Sequence, residues 1–183
     1  MTLANRITMF RVVMIPVFAL LVFYYSRDRD HLRFIALGVY VAAAVSDFLD
    51  GFVARRLNQH SKLGARLDPL ADKLIVNLGF VLVAANPEFD PGIPLWFPVI
   101  ILTRDVAIVM GAFLINEYFG PAKVQPRVWG KITTAFPMSA MIAVLLQLSL
   151  TPYLLAATLG FTLISMADYV YFGSRQALQR DTV

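Results

Sequence analysis

Four aspartates carry the most demanding chemistry in this sequence. Asp47 and Asp50 stand i, i+3 apart, and Asp68 and Asp72 stand i, i+4 apart, inside two apolar stretches. On helices each pair shares one face, a single turn apart. Four carboxylates converging in a low dielectric repel strongly, so protons or cations must neutralise them. Donors that are all oxygen suit hard cations, Mg²⁺ or Mn²⁺. The chain has no cysteine and only two histidines, His31 and His60, which excludes disulfides, thiolate nucleophiles and the usual zinc sites. Four shared carboxylates suit two ions about 3.5–4 Å apart, a clamp for phosphoryl displacement. Gly51 and Ala54 follow beside the same face without bulk, and Arg55 adds a planar donor matched to phosphate oxygens. Gly64 lies in the expected connection, where it would let the chain turn back with a positive φ.

Written out, the segment reads Asp47-x-x-Asp50-Gly51-x-x-Ala54-Arg55, then eight residues, then Gly64-x-x-x-Asp68-x-x-x-Asp72. Its eight fixed positions resemble, gap for gap, the signature of the CDP-alcohol phosphotransferase family. Asn5-Arg6-Ile7-Thr8-Met9-Phe10-Arg11 is similar to that family's amino-terminal Asn-x-x-Thr-x-x-Arg segment, with Ala4 where a proline is common. The resemblance implies a membrane enzyme that cleaves a CDP-linked lipid, CDP-diacylglycerol, and joins its phosphatidyl group to an alcohol, releasing CMP. By the same resemblance Asp47, Asp50 and Asp68 are metal ligands, while Asp72 is the candidate base, either a pure base or a metal ligand as well. Asn5, Thr8, Gly51, Ala54, Arg55 and Gly64 would accommodate the nucleotide and its pyrophosphate. A homodimer is implied too.

These residues need elements to hold them, and the composition says which kind. Of 183 residues, 58% are hydrophobic and 15% charged, against about 25% charged in a soluble domain. Mean hydropathy is +0.67. The reading is an all-α integral membrane protein of one domain, residues 1–183, with about six transmembrane helices. The apolar stretches run from Thr8 to Tyr25, Phe34 to Ala54, Leu67 to Ala85, Leu95 to Ile115, Val128 to Leu150 and Tyr153 to Phe172. Met1 to Thr8 reads as a short interfacial segment, and the apolar run after it is too long for a cleavable signal. Six spans put both termini on one side. Nine Lys/Arg then fall in the segments on that side and three, Arg27, Arg29 and Arg33, in the opposite loops, which places termini and aspartates at the cytoplasmic face. The net charge of +4 is read as this bias, so no nucleic-acid partner is expected.

The acceptor is the open question. Arg104, Lys123, Arg127 and Lys131 form a second cationic group, the expected acceptor-binding set. For Lys123 and Arg127, ordinary loop charge is the competing reading; for Arg104 it is a local pair with Asp105 or a motif carboxylate. Gly130-Lys131-Ile132-Thr133-Thr134 resembles a segment of the phosphatidylglycerophosphate synthase and CMP-forming cardiolipin synthase branches, both of which use a glycerol hydroxyl. Arg104-Asp105 replaces the Arg-Glu of the first branch, and Val106 to Ile115 carries no cation, a departure that resembles the second. Glycerol-3-phosphate and phosphatidylglycerol both stay open, with inositol phosphate, serine or another alcohol behind them. A divalent-cation transporter is the reading from a different class, because intramembrane carboxylates also line ion paths. Transporter ligands lie near the midplane, whereas these cluster at one end of two adjacent stretches.

Overall fold

The computed structural model describes the backbone of residues 3–57, 64–119 and 128–178, and the side chains of 9–10, 12–46, 73–111, 117 and 135–169. Among the described residues the chain is all-helical, without strands: α1 (Leu3–Phe23), α2 (His31–Leu57), α3 (Gly64–Ala85), α4 (Trp96–Phe119), α5 (Val128–Leu145) and α6 (Thr151–Leu178), with a short 3₁₀ turn at Arg27–Arg29. α1 packs on α2 and α3, α5 on α6, and α4 on α6 and α3. The core runs between them, through Phe18, Tyr40, Phe80, Phe97, Met141 and Leu145.

Most helices outrun the apolar stretches that announce them, because a backbone ladder continues through polar residues wherever no breaker stands. The segment expected to lie at the interface is one such case. Leu3 to Thr8 is helical and continuous with α1. None of the residues from Leu3 to Ile15 is a glycine or proline that would separate it. α5 departs the other way, ending at Leu145 although the apolar run continues to Leu150. There Leu148 N–H donates to Ala143 O and Gln147 N–H to Val144 O, each 3.0 Å, the Schellman pattern that closes a helix. Gln147 takes the left-handed position at φ 52°, and its side chain donates to the Tyr25 hydroxyl at 3.1 Å.

About six helices were expected, and six stand among the described residues. Among the described residues no helix is long and apolar enough to cross a membrane.

One end of the bundle is stitched by hydrogen bonds. The Asn86 amide donates to Val22 O and Tyr25 O, both 3.1 Å, tying the end of α1 and the turn after it to the end of α3. Arg33, buried at the start of α2, donates to Leu145 O at 2.9 Å and grips Asp30 with two bonds of 2.7 and 2.9 Å. The α1–α2 turn, the α3–α4 loop and the α5–α6 turn therefore gather at this end. The motif lies at the other, across the α2–α3 connection.

Arg33→Met is expected to lower the melting temperature in detergent. It strands the buried Leu145 carbonyl, a loss of about 1–3 kcal/mol. The Arg33 hydrogen bonds hold the Asp30 carboxyl below its usual pKa. A depressed carboxylate contributes stability above its unfolded pKa of about 3.9 and loses it as pH falls through the folded value. The difference between wild type and Arg33→Met should therefore narrow on acidification below about pH 4. A gap that is constant with pH would contradict the Asp30 contribution.

Candidate active site

The helices carry the motif on particular lines. In α2, Ala36, Tyr40 and Ala43 are buried, and Asp47, Asp50 and Ala54 continue the same register toward the helix end. In α3, Asp68 and Asp72 share a register line with Ile75 and Gly79. Ile75 is buried, and a Cβ at Gly79 would stand 2.8 Å from Met141 of α5 and 2.9 Å from Phe18 of α1. A side chain there would have to displace the Met141 methyl and the Phe18 ring. Both aspartate pairs thus extend the lines along which α2 and α3 pack into the bundle, as the i, i+3 and i, i+4 spacings imply. An apolar core offers no hydrogen-bond partner to a carboxylate.

The side chains of Asp47, Asp50, Gly51, Ala54, Arg55, Gly64, Asp68, Asp72, Asn5, Thr8 and Lys131 lie outside the described residues, although each backbone position falls within a helix. Gly64 opens α3 rather than lying in the connection. Lys123 and Arg127 lie wholly outside the description. Among the described residues no group of three His, Cys, Asp or Glu could hold a metal ion. The motif's own donor set is four carboxylates, a chemistry that suits hard dications and offers no nitrogen or sulfur for a softer metal.

A second line of α3 faces α4. Lys73, Asn77 and Phe80 follow one another at helical spacing, and the Phe80 ring meets Phe97 of α4 at 5.0 Å between centroids. Beyond that contact, Asp105 of α4 receives the Lys73 ammonium on Oδ1 at 3.0 Å and the Asn77 amide on Oδ2 at 3.1 Å. Arg104 Nη1 donates to the same Oδ1 at 2.9 Å, while its Nη2 donates to Ser165 Oγ of α6. Arg104, named from sequence as an acceptor-binding cation, is 12% exposed and engaged between α4 and α6. Sequence reading passed over Lys73, Asn77 and Ser165 as site residues. The i, i+4 spacing of Lys73 and Asn77 was the one available signal, and nothing marked Ser165.

Comparison with known proteins follows the motif. A family model described as CDP-alcohol phosphatidyltransferase matches residues 1–164. A "Probable phosphatidylglycerophosphate synthase" of Mycobacterium tuberculosis is 32% identical over 174 residues, covering 92% of this chain and 79% of the relative. A "CDP-diacylglycerol–glycerol-3-phosphate 3-phosphatidyltransferase" of Aquifex aeolicus is 31% identical over 185 residues, covering 94% and 96%. A "Cardiolipin synthase (CMP-forming)" of Homo sapiens is 30% identical over 186 residues, covering 93% of this chain and 54% of the human protein. This chain therefore matches about half the length of that human relative.

Proposed function

Since the chain belongs to the CDP-alcohol phosphatidyltransferase family, we propose that it moves the phosphatidyl group of CDP-diacylglycerol onto a glycerol hydroxyl and releases CMP. The observation that carries this reading is the eight-position motif, with both aspartate pairs continuing core lines at one end of α2 and α3. Asp47, Asp50 and Asp68 would hold one or two divalent cations, with Asp72 sharing the shell. Bound there, the cations offset pyrophosphate charge and make CMP a better leaving group. Arg55 would pair with a phosphate oxygen, and Gly51 and Ala54 leave room for the nucleotide. Asp72 would take the proton of the acceptor hydroxyl. That oxygen then bonds to the phosphatidyl phosphorus as the phosphorus–oxygen bond to CMP breaks. Burial would have to raise the Asp72 pKa from the ordinary carboxylate range for this work.

The same reading places the helices across a membrane, with both termini and the site at the cytoplasmic face. Large apolar side chains exposed on the described surface support a lipid environment, among them Val13 and Leu20 of α1, Val106 and Val109 of α4 and Leu163 of α6. A homodimer belongs to the proposal by family likeness.

The acceptor is glycerol-3-phosphate or phosphatidylglycerol, the two chemistries whose synthases stand among the relatives. The test is to incubate purified protein with CDP-diacylglycerol and a panel of alcohols and to identify lipid products by mass. Phosphatidylglycerophosphate or cardiolipin is the expected product. Product only with inositol phosphate or serine would overturn the glycerol assignment while leaving the transfer chemistry in place.

A further inference from the structure

We propose that Asp105 is a positioning residue that keeps the Lys73 ammonium away from the motif carboxylates, an inference that rests on reading Asp47, Asp50, Asp68 and Asp72 as the metal-holding set. Lys73 follows Asp72 directly and stands five positions beyond Asp68. At about 100° of rotation per residue, it leaves the acidic line and joins the line facing α4. Its ammonium lies 3.0 Å from Asp105 Oδ1, on a stem that is 40% exposed. Asp105 is 15% exposed and is itself fixed by Arg104 on one oxygen and Asn77 on the other. Arg104 is tied in turn to Ser165 of α6, so its guanidinium is committed on the far side.

Groups from α3 and α4 thus converge on one carboxylate, with α6 tied to it through Arg104, and the flexible member of the cluster is the lysine. Its four-carbon stem is flexible and its charge compact. Released from Asp105, the ammonium can swing toward Asp72 and Asp68 and compete for the oxygens that a dication needs. An ammonium already neutralised by Asp105 offers little such competition. The interaction therefore guards the electrostatics of the site from the side of α4, without Asp105 touching substrate or metal.

Manganese binding to the purified protein, followed by the EPR signal of free Mn²⁺, reads this without turnover. Asp105→Asn is expected to raise the Mn²⁺ concentration for half-saturation by about tenfold, the scale of one unit charge acting on a dication across a partly screened site. The double variant Lys73→Met/Asp105→Asn should return it toward the wild-type value. Wild-type binding in Asp105→Asn, or a double variant as weak as the single one, overturns the proposal. Lys73→Met alone should bind Mn²⁺ as wild type does. Weakened binding there would mean that the α3–α4 tie itself is what the site requires, which also overturns the proposal and decides the matter even where Asp105→Asn fails to fold. An absence of Mn²⁺ binding in the wild type is the distinct result that removes the metal reading, and the proposal with it.

Discussion

Excess EDTA is expected to abolish CMP release, and Mg²⁺ or Mn²⁺ to restore it. The expectation follows from the donor set. Four aspartates continue two core lines, Ala36–Tyr40–Ala43 in α2 and Ile75–Gly79 in α3, where unneutralised carboxylates would repel one another at low dielectric. One lysine beyond Asp72 is engaged with Asp105 on the other flank of α3, so it does not serve as their counter-ion. Arg55 supplies one further positive charge beside four negative ones. Dications would close that gap and supply the charge that a pyrophosphate donor needs. Calcium, larger and less strict in geometry, should restore less activity than magnesium if geometry matters. Undiminished turnover in excess chelator would remove the two-ion reading altogether.

Asp72→Asn is expected to lower turnover by about 10²–10⁴-fold, the usual cost of losing a general base. Asparagine keeps the shape and one acceptor oxygen but cannot hold the abstracted proton. Binding of a CDP analogue at saturating Mg²⁺ should be largely retained. Asp47→Asn, Asp50→Asn and Asp68→Asn provide the contrast, because a lost ligand weakens metal and nucleotide binding together with rate. Nucleotide affinity that collapses in Asp72→Asn as well would make metal binding, rather than proton transfer, the main role of Asp72. Near-normal turnover would exclude both of its roles.

The helices were legible because apolar runs bounded by charge and proline announce themselves. Their ends were less so, since ends follow hydrogen-bond closure rather than hydropathy. Gln147 shows why. A residue without special turn preference occupies the left-handed position, and the Schellman bonds at Leu148 and Gln147 stop α5 inside an apolar run. The aspartate pairs were legible from spacing alone, because i, i+3 and i, i+4 fix a shared face whatever surrounds it. The cluster around Asp105 was not. Whether Arg104 meets an acceptor or a neighbouring helix depends on which lines of α3, α4 and α6 face each other, and Ser165 sits sixty-one positions away in sequence. Spacing within one helix carries no information about that approach.

The most direct test of the central claim is the stoichiometry of the purified protein's products. CDP-diacylglycerol is supplied with glycerol-3-phosphate and, separately, with phosphatidylglycerol, and CMP and new phospholipid are counted in the same sample. The account predicts CMP and a glycerol-linked phospholipid in equal amounts with at least one of the two acceptors, neither forming when acceptor is left out, and both lost in Asp47→Asn. CMP formed with phosphatidic acid in the absence of acceptor would mean hydrolysis, and no CMP under any of these conditions would mean that the chain does not transfer a phosphatidyl group from this donor to a glycerol hydroxyl.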